Sequence, residues 1–256
     1  MTLHEGKIIA ISNKKGGCGK TTTAIQLASG LIERNKKILL VEGDPQGTLT
    51  KHYCIHCSGK PTVKDFILDQ TDARVTIHDH LDILPGDTSL NKVSNALLHE
   101  PDGPLYLSYA LEQIKYDYDY VLIDCPPSDS LIANNCYAAA DEVIIPVFPG
   151  IYSLDGMVLM KSQLDKIKRV FNPGLKVTGI FILNVDTGTN AKKEIERLAN
   201  ECSNHLDTHC FEAIIPHSTA VNDAQLQSMS LLEFKKSAKV TKAYEQFVDE
   251  FLEVQA

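Results

Sequence analysis

Residues 13–22 read NKKGGCGKTT, and this glycine-rich stretch decides which fold the chain adopts. An apolar run, KIIAIS at 7–12, comes directly before it. A helical apolar stripe follows it, formed by Ala24, Leu27, Ala28 and Leu31. A glycine-rich loop that leaves a strand and opens a helix with Gly-Lys-Thr is typical of a phosphate-binding loop. A glycine-rich turn with exposed lysines is the alternative.

The loop offers three kinds of group to a nucleotide. Its backbone N–H groups can close around phosphate oxygens, and we expect this of Gly16, Gly17, Cys18 and Gly19. The Lys20 ammonium is predicted to contact the β- and γ-phosphates. The Thr21 hydroxyl is predicted to bind Mg²⁺, and that of Thr22 to lie near the α-phosphate. The sequence therefore predicts a site for ATP and Mg²⁺ at this loop.

Further apolar runs of strand length alternate with helical patterns along the chain. They are KILLV at 37–41, LDIL at 81–84, YVLID at 120–124, EVIIPV at 142–147, VTGIFIL at 177–183 and EAIIP at 212–216. Runs that are apolar on both faces indicate buried parallel strands joined by helical crossovers. We therefore predict a three-layer α/β fold, with a mostly parallel twisted sheet and helices on both faces. No change in composition marks a boundary, which predicts one domain over residues 1–256.

Lys14 and Lys15 distinguish this loop from the usual pattern, which has a glycine where Lys14 stands. Two further landmarks follow in order, VEGDPQGT at 41–48 and YDYVLIDCPPS at 118–128, and IIPHS comes late in the chain at 214–218. In these motifs the chain resembles the deviant-Walker P-loop ATPases of the ParA/MinD type, whose loop reads K-G-G-x-G-K-[ST]. The DPQG form resembles the ParA branch.

The resemblance implies a role for the second lysine. In that family the early lysine, here Lys15, reaches the nucleotide of a facing subunit when two ATP-bound monomers form a sandwich. Lys15 would then neutralise phosphate charge in trans, which couples ATP occupancy to formation of a homodimer. A solvated surface lysine is the alternative.

Two aspartates at predicted strand ends complete the site. Asp44 joins Lys15 and Lys20 as a predicted catalytic residue, because it is placed to orient the water that attacks the γ-phosphate. Asp124 is predicted to bind Mg²⁺ together with Thr21. Carboxyl ends of parallel strands form the sites of open α/β sheets, whereas a capping or turn aspartate is the alternative for each. Glu42 stands where the family's switch segment usually has its first aspartate.

The resemblance also places contacts to adenine after the two late strands, at Asn184, Pro216 and Ser218. The Asn184 amide can both donate to and accept from the adenine edge. An asparagine that ends a strand in a turn is the alternative.

DNA binding is a further property of the ParA branch, where arginines contact DNA nonspecifically in the ATP-bound dimer. Gly188 and His217 replace those arginines here. Lysines remain late in the chain, at Lys192 and Lys193 and then at Lys235, Lys239 and Lys242, and we expect the last three to share one helical face that can track phosphates. A solvated helix face is the alternative.

The segment HYCIHC at 52–57 raises the question of a metal. His52, Cys54, His56 and Cys57 contain one C-x-x-C pair but lack the second pair of a closed tetrahedral site. We therefore predict no stoichiometric metal, with zinc or an iron–sulfur cluster as the alternative.

Composition and charge limit the partners and the cellular compartment that we expect for the protein. The formal net charge of -8 argues against a protein that coats nucleic acid over its whole surface. Seven cysteines without an apolar leader favour a reducing cytoplasm, with association to the nucleoid if DNA is bound. The acidic stretch KAYEQFVDEFLEVQA does not resemble a basic membrane-binding helix, so we expect no membrane partner.

These features lead to a functional hypothesis. The chain resembles a switch ATPase for plasmid or chromosome partition that dimerises with ATP and responds to a ParB-like adaptor protein. An ATPase that positions a different protein cargo is one alternative. A metabolic ATP-dependent enzyme of the same superfamily is the other, and it has less need of Lys15.

Overall fold

The computed structural model describes residues 6–149, 153–185 and 191–255. The strands in these residues are β1 (Lys7–Ile11), β2 (Ile38–Glu42), β3 (Val75–His78), β4 (Leu81–Leu84), β5 (Tyr120–Asp124), β6 (Glu142–Val147), β7 (Lys176–Val185) and β8 (Ile215–Pro216). They form a sheet in the order β3-β4-β2-β5-β1-β6-β7-β8. Every neighbouring pair is parallel except β3 with β4. The predicted fold class is confirmed.

Two strands differ from the sequence-based expectation. β3 was not expected, because its residues are half-buried to exposed and lack the apolar signature of the inner strands. It pairs antiparallel with β4 at the edge of the sheet. β8 is shorter than the predicted run 212–216, because the backbone N–H groups of Glu212 and Ala213 donate to the Glu250 carboxylate instead of joining the sheet.

Helices connect the strands. They are α1 (Lys20–Ile32), α2 (Thr48–His52), α3 (Val63–Asp69), α4 (Asn91–Ala96), α5 (Tyr106–Glu112), α6 (Leu131–Ala139), α7 (Ser153–Val170), α8 (Ala191–Leu206), α9 (Thr219–Leu226), α10 (Leu231–Lys235) and α11 (Lys239–Gln255). None of the described helices is both long and apolar enough to cross a membrane.

The core lies on both faces of the sheet, and the central strand β1 shows why. Ile8 and Ala10 belong to one buried cluster, which includes side chains of α3, α5, α6 and α7. Ile9 and Ile11 belong to the other, which includes α1 and α11. Strand residues alternate between faces, so both faces of β1 are buried and helices cover each. The apolar stripe predicted for α1 lies in the second cluster.

The parallel strands bring distant residues to one edge of the sheet. Asp124 at the end of β5 is in register with Ile11 of β1 on one side and with Glu42 of β2 on the other. The phosphate loop leaves the same end of β1 and enters α1. This edge is where open α/β sheets form their sites.

Candidate functional site

The loop between β1 and α1 has the backbone that its glycines predict. Gly17 and Gly19 have φ of 68° and 85°, in the left-handed region that favours glycine. A Cβ at Gly19 would lie 2.6 Å from Leu183 Cδ1, so a side chain there would also collide with β7. Gly19 precedes α1 and no side chain caps the helix, so its first N–H groups are available to an anion.

Lys20 and the two early lysines have different environments. Lys20 is 7% exposed, and its Nζ lies 3.4 Å from the Lys15 carbonyl oxygen inside the loop. Lys14 is drawn back onto the protein, where its ammonium hydrogen-bonds Gln163 of α7 and lies 3.3 Å from Asp129 Oδ1. The Lys15 side chain is exposed and its ammonium has no hydrogen bond or ion pair with the described residues. Lys14 is thus held against the protein by its contacts, whereas the Lys15 ammonium is exposed to solvent.

Asn13 fixes the start of the loop from which these lysines project. Its Nδ2 donates to the Pro146 carbonyl of β6 at 2.7 Å, and its Oδ1 accepts from the Lys15 N–H at 3.0 Å. The Cys18 side chain is buried, and burial raises the pKa of its thiol. Cys18 therefore fills space in the loop with a neutral side chain.

Asp124 is fully buried and meets Thr21. Thr21 Oγ1 donates to Asp124 Oδ2 at 2.6 Å, while Asp124 Oδ1 has no hydrogen-bond partner among the described residues. Burial raises the pKa of Asp124 above its usual range; the Thr21 hydrogen bond and Lys20 lower it, and Asp44 raises it. A buried carboxylate with one oxygen unpaired, beside a threonine hydroxyl, is a donor set that suits Mg²⁺. The residues predicted to bind the metal fit it.

Asp44 lies on a tight turn between β2 and α2. Its carbonyl accepts from the Gly47 N–H at 2.9 Å, and its Oδ1 accepts from the Gln46 N–H at 2.9 Å. Gly47 has φ of 63°, which suits the glycine at the end of this turn. Asp44 is half-buried and lines the same pocket as the phosphate loop.

Glu42, which replaces the family's aspartate, is fully buried at the end of β2. Burial raises the pKa of its carboxyl, and the neighbouring Asp124 raises it further. Two buried carboxyls side by side repel when both are ionised, so this edge of the sheet favours a cation.

A pocket of about 570 Å³ connects these groups with the late strands. It is lined by Gly16, Gly17, Gly19, Lys20, Thr21, Thr22 and Asp44 and by the three predicted adenine contacts Asn184, Pro216 and Ser218. Asn184 has φ of 63° at the end of β7, and Ser218 caps α9 by accepting from the Ala220 N–H. The structure thus brings most of the predicted phosphate residues and the predicted adenine residues to one cavity, while Asp124 lies behind Thr21 and does not itself line it.

The sequence did not predict that side chains of α9 line one side of this pocket. Gln225 Nε2 donates to Thr22 Oγ1 at 2.8 Å, although the two residues are 203 positions apart. Val221 and Asn222 of α9 and Phe148 after β6 also line the cavity. No local motif marks these residues, because their role depends on how α9 packs beside the loop.

The structure describes only some of the residues considered for DNA binding. Gly188 lies outside the described residues, as do the side chains of Lys192 and Lys193. The expectation that Lys235, Lys239 and Lys242 share one helical face is wrong, because α10 ends at Lys235 and α11 begins at Lys239. His217, which stands in place of a family arginine, is exposed and lines the pocket formed with the phosphate loop.

The HYCIHC segment spreads its side chains apart. His52 is buried, and burial lowers its pKa, whereas Cys54 and His56 are exposed. Cys54 Sγ lies 3.4 Å from Ser228 Oγ. Within the described part of the chain, no group of three or more His, Cys, Asp or Glu side chains is arranged to hold a metal.

Comparison with known proteins identifies the family. A family model described as an AAA domain matches residues 6–177. The chromosome partitioning protein ParA of Myxococcus xanthus is 31% identical over 93% of this chain and 85% of its own length. The sporulation initiation inhibitor protein Soj of Bacillus subtilis is 30% identical over 93% of this chain and 95% of its own. The chain belongs to the ParA/Soj family of P-loop ATPases.

A solved structure adds a bound nucleotide to the comparison. The cobyrinic acid a,c-diamide synthase of Mycobacterium smegmatis, with a bound ATP analogue and magnesium, has a TM-score of 0.82. It is 25% identical and covers 96% of this chain and 94% of its own. The fold of this ParA/Soj family member is thus also that of a metabolic enzyme.

Proposed function

We propose that the protein is a ParA-type ATPase that binds ATP and Mg²⁺, dimerises around the nucleotide and separates after hydrolysis. The observation that carries the dimer is Lys15. One chain already offers Lys20 to the phosphates, while the Lys15 ammonium projects from the same loop without a partner among the described residues. A second copy with its own nucleotide supplies that partner.

Each residue of the site has a place in this reaction. The loop amides and Lys20 bind the phosphates, and Thr21 and Asp124 hold Mg²⁺, which offsets the negative charge on the phosphates. Asp44 orients the attacking water, and Lys15 of the facing subunit stabilises charge that develops on the γ-phosphate. Because Lys15 acts only in the dimer, ATP shifts the monomer and dimer populations.

The names of the relatives support a chromosome or plasmid as the cargo of this ATPase. The Myxococcus protein is named a chromosome partitioning protein, and we infer that this chain acts in chromosome or plasmid partition with a ParB-like adaptor in the cytoplasm. DNA of any sequence is the surface that the ATP-bound dimer would bind, through lysines in place of the missing arginines. The likeness to the synthase supports a metabolic ATP-dependent enzyme as the second candidate.

A lysine substitution separates these two functions. Lys15→Ala is expected to leave ATP affinity largely intact but to prevent ATP-dependent dimerisation, because Lys20 still binds the phosphates in cis. Light scattering with and without ATP and Mg²⁺ measures the molar mass of the protein and so shows whether it dimerises. Lys20→Ala, the matched change in the same loop, is expected to lose ATP binding itself, and Lys168→Ala on the surface of α7 serves as the unchanged control.

The results discriminate clearly. An ATP-induced dimer in the Lys15→Ala protein contradicts the role in trans. A wild-type protein that stays monomeric with ATP, yet consumes it when given a carboxylate substrate, favours the metabolic enzyme.

A further inference from the structure

Glu42 has a set of hydrogen bonds that the proposed reaction does not use. Its Oε2 accepts from the Thr50 N–H at 3.0 Å and lies 3.3 Å from the Thr50 hydroxyl. Its Oε1 lies 3.3 Å from the Asp44 N–H. One buried carboxylate therefore contacts both sides of the turn that carries Asp44.

The bond to Thr50 supplies a cap that α2 otherwise lacks. Gly47 precedes this helix and has no side chain, so the helix receives no local side-chain cap. Thr50 is the third residue of α2, and its N–H has no partner within the helix. Glu42 satisfies that N–H from β2, as the side chain of a helix-capping residue would.

Thr50 extends the contact to the exit of β4. Its hydroxyl accepts from the Gly86 N–H at 2.9 Å and can donate its own proton to Glu42. Gly86 also packs on the Glu42 side chain, because a Cβ at Gly86 would lie 2.8 Å from Glu42 Cγ. The extra methylene of glutamate, compared with aspartate, occupies the space that Gly86 leaves open.

We propose that Glu42 is a positioning residue that clamps the Asp44–Gly47 turn between β2 and α2 and so fixes where Asp44 meets the attacking water. This inference rests on the proposed ATPase function. Its physical basis is that displacement of a catalytic group by about 1 Å costs a large part of the rate, while binding of the nucleotide phosphates depends on the separate loop.

Two substitutions at Glu42 test the clamp. Glu42→Gln replaces an acceptor oxygen with a donor that faces an N–H group, and Glu42→Asp shortens the side chain by one methylene. Both are expected to lower kcat about tenfold and leave the ATP Kd within about twofold of wild type. Gly86→Ala, which displaces Glu42 without changing any charge, is expected to lower kcat in the same way.

Thr50 provides a rescue pair. Thr50→Val removes the hydroxyl that joins Gly86 to Glu42 and is expected to lower kcat, whereas Thr50→Ser retains the hydroxyl and is expected to keep wild-type turnover. Glu142→Gln is the matched control, since Glu142 is also a buried glutamate that accepts hydrogen bonds, but at the amino end of β6. It is expected to lower Tm without lowering kcat.

Hydrogen exchange tests the clamp independently of ATP hydrolysis. In the nucleotide-free protein, Glu42→Gln is expected to speed exchange at the amides of Asp44 and Thr50, with the amides of α1 unchanged. Unchanged exchange at these two amides overturns the inference, even if ATP turnover proves to be absent. Wild-type kcat in both Glu42 variants, or an equal loss in Glu142→Gln, overturns it as well. A wild-type protein without ATPase activity but with faster exchange in Glu42→Gln contradicts the proposed function and leaves the clamp supported.

Discussion

Asp44 and Asp124 are two carboxylates at one edge of the sheet, and their environments are opposite: Asp44 lines the pocket, whereas Asp124 lies behind Thr21. Asp124 is fully buried, and one of its oxygens has no hydrogen-bond partner in the part of the chain that the structure describes, which suits a residue that holds a cation. Asp44 is half-buried on a turn, where its Oδ1 accepts from the Gln46 N–H and its side chain is partly open to solvent. The difference in burial supports the proposed roles, with Asp124 as the metal ligand and Asp44 as the residue that orients water.

Removal of the Asp44 carboxylate is therefore expected to affect ATP turnover rather than ATP binding. Asp44→Ala is expected to bind ATP, form the dimer through Lys15 and remain there, with turnover lower by about a hundredfold. Size-exclusion chromatography with ATP and Mg²⁺, combined with a phosphate-release assay, measures both properties. Asp79→Ala, an exposed aspartate between β3 and β4, is the control. A monomeric Asp44→Ala protein at saturating ATP would show that Asp44 is a metal or structural residue.

At the scale of elements, α10 and α11 divide the late lysines. Lys239 and Lys242 lie three residues apart on α11, so they share a face, and both are exposed. Lys236, between the two helices, instead forms an ion pair with Glu33 at 2.9 Å. A lysine that is already in an ion pair must break that pair before it binds a phosphate, whereas an unpaired lysine need not.

This arrangement predicts which lysines bind DNA. The double variant Lys239→Ala with Lys242→Ala is expected to weaken ATP-dependent binding to unrelated duplexes and to reduce the slope of log affinity against log salt by about two per subunit. Lys236→Ala is the paired control and is expected to change the slope little, because Glu33 already offsets its charge. Fluorescence anisotropy across a salt series measures this. An unchanged slope in the double variant would remove α11 from the DNA-binding surface.

The elements also show how far sequence reasoning reaches. Inner strands such as β1 and β5 were predictable, because strands covered on both faces carry continuous apolar runs. β3 was not, because an edge strand needs little apolar content. The phosphate loop was predictable because its chemistry is contiguous in sequence. The Glu42 to Thr50 contact and the Gln225 to Thr22 contact were not, since each depends on how separate elements pack.

At the scale of the whole molecule, the sheet gathers negative charge at one edge. Glu42, Asp44 and Asp124 meet there, and burial raises the pKa of Asp124 above its usual range. A carboxyl with a raised pKa gains a proton as pH falls, and that proton competes with Mg²⁺ for the same oxygens.

Magnesium nucleotide binding should therefore depend on pH. We expect the affinity for Mg-ATP to be weaker at about pH 6 than at about pH 8, with protons released on binding at the lower pH. Calorimetry in buffers of different ionisation enthalpy measures the protons released. Asp124→Asn removes one of the two buried carboxyls whose pKa is raised, the other being Glu42, so the part of the pH dependence that exceeds that of free ATP should be smaller in this variant. If both proteins release the same number of protons, Asp124 does not titrate on binding.

The packing of α1 against α11 has a consequence for the order of events during synthesis. Gly30 of α1 has no side chain because Val248 of α11 occupies the space, at 2.5 Å from where a Cβ would stand. Phe247 and Phe251 complete the apolar cover on the same face of the sheet. The ribosome makes α11 after every strand, so this part of the cover on α1, the helix that follows the phosphate loop, is added last during translation. We therefore expect the nascent protein to gain the complete packing around its nucleotide site only once α11 has left the exit tunnel.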